Sequence, residues 1–435
     1  MLLSLDSLSD RADSLDRQFA TSSRRDNFHL PQHNGRPAIY FTGNSLGLQP
    51  KNTQELVLEE LEDWAQLGVE GHFHGRRPWF AYHKHLTEAT ARLVGALPHE
   101  VVVMNNLTVN LHLLLVTFYR PSSAKYRVLM EASAFPSDQY AIESQVRWHG
   151  FTPEDAILEL SPVPGSYTVD TEDILRTIRD HRNSLALVML SGVQYYTGQW
   201  FDMQAIAAES RKYGIVVGFD LAHAAGNVPM QLHDWEVDFA CWCTYKYLNS
   251  GPGGTSGVFI HERHVQDTSL PRFAGWWGHS EEERFKMQKG FKAIPTAEGW
   301  QLSNAQILPM AAHLAALKWF DELGMEALRA KSMALTGFAV EVLQRVNAWA
   351  VAQGMGEPIR LITPLDPAQR GAQLSLLVPD IGRRVFEKLS AEGVVADWRE
   401  PDVIRVAPVP LYNTFEEVYR FGVCLQGALE QIRKG

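Results

Sequence analysis

Lys246 stands in the run Cys243-Thr244-Tyr245-Lys246-Tyr247, directly after residues 237–243, an apolar stretch that reads as a buried strand. A lysine at a strand exit between two tyrosines is partly withdrawn from water, which suits its amine to imine formation with a carbonyl. Earlier, the run Ile215-Val216-Val217-Gly218-Phe219-Asp220 ends in a carboxylate, with His223 close behind. A carboxylate buried at such an exit needs a cationic or hydrogen-bonding partner to stay ionised. Alone, each residue has an ordinary explanation, the aspartate as a helix N-cap and the lysine as a surface amine lying over aromatic rings. One crossover apart, the two can be presented to a single pocket.

That pairing meets the demands of pyridoxal 5′-phosphate (PLP). This cofactor needs an amine for its aldehyde, an acid to keep its pyridine nitrogen protonated, and donors for its phosphate. An aromatic face for the ring also helps.

The scaffold must bring strand exits together. Residues 127–132, 156–160, 185–192, 215–220, 237–243 and 257–261 are short apolar runs, mostly β-branched. Amphipathic stretches such as 173–181 and 203–213 lie between some of them. This alternation predicts an α/β fold with a mainly parallel sheet and helical crossovers. Ligands of such sheets bind beyond the carboxyl ends of the strands. A helix over 307–323 should stop at Gly324. Beyond a loop at 353–358, strands at 373–378, 394–396 and 403–407 with two helices predict a smaller α+β domain. The expected division is an N-terminal helical segment, 1–60, packing on the small domain, a large cofactor-binding domain, 61–320, and a small C-terminal domain, 321–435.

Composition narrows the functional classes. The chain of 435 residues is long enough for two or three domains. A net charge of −10 argues against a nucleic-acid backbone as the main ligand. No apolar run approaches the length that spans a bilayer. Asp6, Asp10, Asp13 and Asp16 interrupt the start of the chain, while Leu5, Leu8, Ala12, Leu15 and Phe19 recur at helical spacing. Residues 1–20 therefore read as an amphipathic helix and not a signal peptide. Three cysteines, Cys241, Cys243 and Cys424, make no disulfide framework and suit a reducing compartment, so the cytoplasm is the expected location.

Six ordered segments resemble the kynureninase family. They are Gly43-Asn44-Ser45-Leu46-Gly47, Asn106-Leu107-Thr108-Val109-Asn110, Phe135-Pro136-Ser137-Asp138, Phe219-Asp220-Leu221-Ala222-His223, the lysine segment, and Arg405-Val406-Ala407-Pro408-Val409-Pro410-Leu411-Tyr412-Asn413. The resemblance runs from about residue 38 to the C-terminus. It implies the PLP-dependent transferase fold of type I, a homodimer, and hydrolysis of the Cβ–Cγ bond of kynurenines to an anthranilate and L-alanine. By matching motif, Lys246 resembles the imine lysine and Asp220 the partner of the pyridine nitrogen. Leu107, Thr108, Pro136 and Ser137 fall where the family holds the cofactor, Phe135 where it stacks on the ring, and Asp138 beside it. Ser191, His223 and Tyr245 match further cofactor contacts, and Trp276 and Asn304 match residues reaching the site from the second subunit. Arg405 matches the arginine that grips the substrate α-carboxylate, a task suited to guanidinium. His72, Asn44, Ser45, Ser303 and Asn304 are the remaining expected substrate contacts.

In this reading the freed Lys246 is the base at Cα, and Tyr245 shuttles protons in later steps. His72, Ser303 and Asn304 offer polar groups to a ring hydroxyl, which favours 3-hydroxykynurenine. No metal is expected. Cys241-x-Cys243 lacks a second pair, and His72, His74, His83 and His85 match no zinc spacing. The rival readings are a cysteine desulfurase, which needs a mobile nucleophilic cysteine, and a non-catalytic binding protein on the same fold.

Overall fold

The computed structural model describes residues 5–434 except Thr268. The chain divides into two units. One comprises Asn52–Tyr195 and Phe201–Glu322; the other comprises the chain up to Lys51, Tyr196–Trp200 and the chain from Leu323. The boundaries thus fall near, not at, residues 60 and 320, and the inclusion of Tyr196–Trp200 in the smaller unit has no signal in composition.

The larger unit is built on β1 (Val101–Met104), β2 (Arg127–Glu131), β3 (Ile157–Leu160), β4 (Leu185–Ser191), β5 (Val216–Asp220), β6 (Phe239–Cys243) and β7 (Ser256–Ile260). Their order is β1-β7-β6-β5-β4-β2-β3. The block from β6 to β3 is parallel, whereas β7 runs antiparallel to both β6 and β1. Every residue of β6 and β7 is buried, as expected of strands covered on both faces. Of the seven strands, β1 has no counterpart among the sequence-predicted runs.

Close packing explains the small residues in the sheet. A Cβ on Gly218 would meet the Phe239 ring at 2.1 Å, so glycine lets that ring lie across β5. Phe239 stacks on Phe118 at 4.7 Å. Phe118 ends the helix Leu107–Phe118, whose Leu111, Leu114 and Leu115 join Ile142 and Val146 of the helix Pro136–Trp148 in one core. Both helices begin just beyond a strand exit, which places their N-termini at the carboxyl edge of the sheet. The helical run Ile307–Ala352 breaks at Gly324, whose φ of 74° and ψ of 151° lie outside the helical region.

The smaller unit has a four-stranded antiparallel sheet of β8 (Arg360–Leu361), β9 (Leu374–Leu377), β10 (Asp397–Arg399) and β11 (Val403–Val406), in the order β8-β9-β11-β10. Val394–Val395 does not join it but pairs in parallel with Ile39–Tyr40. The N-terminal segment forms a 3-10 turn, Leu5–Leu8, and a helix, Ser9–Gln18. Residues 1–4 of the expected helix lie outside the described residues. Leu5, Leu8 and Ala12 are buried in one core with Leu335, Phe338 and Phe421. Each fully buried leucine contributes about 1.5–3 kcal/mol through its removal from water. Among the described residues, no helix is long and apolar enough to cross a membrane.

Candidate active site

Asp220 ends β5 and is buried, with Oδ1 accepting from the Ala222 backbone N–H at 2.7 Å. The β5–β6 pairing continues past it, since Leu221 N–H donates to Cys241 O at 2.8 Å. After β6 the chain makes a tight turn pinned by Thr244, which is fully buried and bonds Ser250 Oγ and the Thr255 carbonyl. Asn249 closes that turn at φ 58°, a left-handed conformation asparagine tolerates better than most residues. The turn carries Lys246, whose Nζ lies 3.1 Å from His223 Nε2 and 5.7 Å from the centroid of the Phe135 ring.

Two helix N-termini meet at the same pocket. The helices Leu107–Phe118 and Pro136–Trp148 both start without a side-chain cap, although in the second Pro136 has no N–H and Asp138 N–H donates to Phe135 O at 2.9 Å. Thr108 Oγ1 and Ser137 Oγ, one from each first turn, are 2.7 Å apart. Uncapped termini carrying hydroxyls form a ready anion site. Pro136 does not line the pocket; it opens its helix at the position where a missing N–H costs nothing.

Three carboxyl groups share this pocket: Glu131, Asp138 and Asp220. Glu131 ends β2 and accepts from Ser191 Oγ at 2.5 Å and from Ser191 N at 3.2 and 3.3 Å. Burial pushes its proton affinity up, and the Asp220 charge adds to this, against the pull of the Ser191 donors. Burial raises Asp138 further, reinforced by the charge of Asp220, its hydrogen bond to that residue and the charge of Glu131. Asp220 is raised by burial and held back by Lys246, the Ala222 N–H and the Asp138 hydrogen bond. Asp138 Oδ1 is buried without a hydrogen-bond partner.

Of the sequence-predicted residues, Leu107, Thr108, Phe135, Ser137, Asp138, Ser191, Asp220, His223, Tyr245 and Lys246 line this pocket. Burial and the neighbouring Cys243 push the Tyr245 hydroxyl far up, so it is a proton donor across the neutral range. Sequence reading missed Glu131, Val193, Tyr195, Ala222 and Cys243. Glu131 lay within an expected strand and not just after one. Tyr195, which meets Phe135 edge-on at 5.2 Å, follows a strand exit and was open to the same reasoning as Lys246.

Other expected residues lie outside the pocket lining. In the larger unit, His72 is half-buried with Nδ1 3.0 Å from Val69 O, while Trp276, Ser303 and Asn304 are exposed. In the smaller unit, Arg405 is 1% exposed on β11 and its Nη2 donates to Asp397 Oδ2 at 2.6 Å. Asn44 is buried and donates to Gln373 Oε1 at 2.9 Å, whereas Ser45 is exposed.

Burial pushes up both thiols of the cysteine pair on β6. A separate group, Glu100, His233 and His261, lies at the opposite edge of the sheet. Its atoms are already spent: Glu100 accepts from Glu262 N at 2.7 Å, Leu97 N at 2.9 Å and His233 Nδ1 at 3.0 Å, and His261 Nδ1 accepts from Arg263 N at 3.2 Å.

Residues 328–425 match the kynureninase C-terminal domain and residues 39–360 match aminotransferase class V. A kynureninase of Myxococcus xanthus (strain DK1622) is 54% identical over 417 residues, covering 96% of each chain. One of Flavobacterium johnsoniae is 50% identical over 415 residues, covering 95% of this chain and 96% of its own. Among solved structures, the apo cysteine desulfurase of Thermococcus onnurineus NA1 superposes with a TM-score of 0.72 at 17% identity, covering 91% of this chain and 95% of its own. A cysteine desulfurase of Escherichia coli gives 0.73 at 16%, covering 94% and 98%. At such identities these two establish the fold alone, the type I fold of PLP enzymes.

Proposed function

This chain belongs to the kynureninase family, and on that premise we propose that its pocket serves PLP-dependent hydrolysis of the Cβ–Cγ bond of a kynurenine, releasing an anthranilate and L-alanine. The observation that carries the reading is the convergence of Lys246 Nζ, the Asp220–Asp138 acid pair and two uncapped helix N-termini on one pocket.

The residues fit the cofactor. Asp220, buried at the exit of β5 beside the orphaned Asp138 Oδ1, answers the N–H of a pyridinium ring. Thr108, Ser137 and the helix N-termini answer its phosphate, Phe135 its ring face, and Lys246 its aldehyde. When bound, PLP supplies the electron sink that makes loss of the Cα proton feasible.

Lys246 Nζ takes the Cα proton of the substrate, with His223 Nε2 at 3.1 Å to orient the amine. Tyr245, a phenol held in its protonated form by burial, delivers a proton in the later steps. Arg405 is assigned to the substrate α-carboxylate on the strength of its family motif, with Asp397 fixing one end of its guanidinium. His72, Ser303 and Asn304 favour 3-hydroxykynurenine over kynurenine, because a site built for a hydroxyl discriminates strongly against its absence. Trp276 and Asn304, exposed in one chain, are read as contributions to a second subunit's site, so the active form is read as a homodimer; three cysteines that make no disulfide framework support the cytoplasm as its location.

A steady-state assay with both kynurenines, run beside Lys246→Ala, tests this reading. Turnover by the wild type is expected, together with visible imine absorption that Lys246→Ala abolishes along with activity. No cleavage of either substrate by a PLP-loaded protein would sink it. The desulfurase reading lacks a nucleophile: Cys241 and Cys243 are buried in β6, and Cys424 sits within the helix Phe415–Lys434. Sulfide release from cysteine would favour it. A purified protein that stays colourless and takes up no PLP would favour the non-catalytic one.

A further inference from the structure

Three buried carboxyl groups in one pocket cannot all ionise when the lining residues include a single lysine and no arginine. The hydrogen-bond inventory decides which one keeps a proton. Glu131 receives both the hydroxyl and the backbone N–H of Ser191. Asp220 receives the Ala222 N–H and faces the charge of Lys246. Asp138 Oδ1 receives nothing, although it is buried and flanked by the charges of the other two.

We propose that Glu131 is a positioning residue for the cofactor's ring nitrogen: held ionised by Ser191, it keeps the shared proton of the acid pair on Asp138 and so leaves Asp220 as the charged partner of the ring. The proposal rests on the reading that this pocket holds PLP.

The register supports the arrangement. Ser191 is the β4 residue paired with Asp220 on β5, so the donor to Glu131 is fixed to the strand that carries the charged acid. Glu131 thereby acts on the ring at one remove, through the proton of Asp138. Ordinary anchoring of Ser191 would need only an acceptor at position 131; holding a proton on Asp138 needs a negative charge there. The other titratable groups facing the pair are Lys246, His223, Tyr195, Tyr245, Cys241 and Cys243.

Glu131→Gln separates these roles, because glutamine still accepts from Ser191 but carries no charge. The measurement is infrared difference spectroscopy of the PLP-loaded protein, 13C-labelled at aspartate and titrated with pH without substrate. The wild type should show a protonated-carboxyl band in the neutral range, Asp138→Asn should lack it, and Glu131→Gln should lose it at least about one pH unit lower. No band in the wild type, a band that survives Asp138→Asn, or an unshifted titration in Glu131→Gln overturns the proposal. If Glu131→Gln does not fold, Ser191→Ala is read with 13C-glutamate instead. Losing the hydroxyl donor must then produce a protonated Glu131 band at neutral pH, and its absence overturns the proposal. These readouts involve no kynurenine, so failure of the cleavage assay leaves them intact, whereas a failure to take up PLP shows directly as missing visible absorption.

Discussion

The two ends of the larger sheet each bury carboxylates, and they treat them in opposite ways. At the end where β6 begins, Asp238 accepts from Val217 N at 2.7 Å and pairs with Arg263 and His264, each at 2.6 Å. Burial pushes it up, but the His264 bond and the Arg263 charge outweigh this and hold it below the usual carboxylate range. Glu100, at the same end, is equally well supplied. At the carboxyl end no arginine pairs with the acids: Glu131 has the Ser191 donors, Asp220 the Ala222 N–H and Asp138 Oδ1 none, and all three are raised. One end has spent its polar groups on the fold, while the other holds them in reserve for a ligand. Incomplete satisfaction, more than the mere presence of titratable residues, marks the functional end.

Asp220→Asn should show the largest split between the ends. It should lower kcat by about 10²–10³-fold, in the range expected for loss of a pre-organised electrostatic partner, without lowering the thermal stability of the cofactor-free protein. Stability falling in step with activity would mean that the carboxyl end is structural after all.

Asp238→Asn should do the reverse. It leaves Arg263 without its carboxylate and should cost about 2 kcal/mol in urea unfolding, less than the roughly 3–5 kcal/mol of a fully buried pair because Arg263 reaches water. Its kcat per folded molecule should not change; a loss there would show that the far end tunes the site.

The pH dependence of stability sharpens the same contrast. Asp238, depressed in the folded state, contributes stability that is present above its unfolded value and lost as pH falls through the folded one, in the acid range. Asp138, raised in the folded state, binds its proton more tightly folded than unfolded. It therefore lowers stability as pH rises from the ordinary aspartate value through its own. In cofactor-free protein, Asp238→Asn should flatten the acid limb, and Asp138→Asn should flatten the decline above it. Parallel effects from both variants would remove the distinction.

His233→Asn should have the smallest effect. His233 is raised by its hydrogen bond to Glu100, so its contribution is present below the ordinary histidine value and fades as pH rises through the folded one. With the ring part-exposed, the loss should stay below about 1 kcal/mol in the same unfolding assay at mildly acid pH.

Much of the scaffold was legible in the chain. Buried strands announce themselves as short β-branched runs, and the rule that ligands bind beyond strand exits led directly to Asp220 and Lys246. Gly324 was legible as a helix stop because a positive φ is cheap only for glycine. β1 was not read, although β3, equally short, was. Nor was the excursion of Tyr196–Trp200 into the smaller unit, which depends on pairings such as the Gln199–Arg370 bridge between residues far apart in sequence.

By itself the sequence determined which residues stand at the strand exits and which family the ordered motifs belong to, because both follow from local order along the chain. Only the tertiary structure decided that Glu131 shares a pocket with Asp138 and Asp220, that Ser191 supports one of them, and that Asp138 is left short of donors. The physical reason is that the charge state of a buried acid depends on distances to other charges and to water, and linear spacing encodes neither.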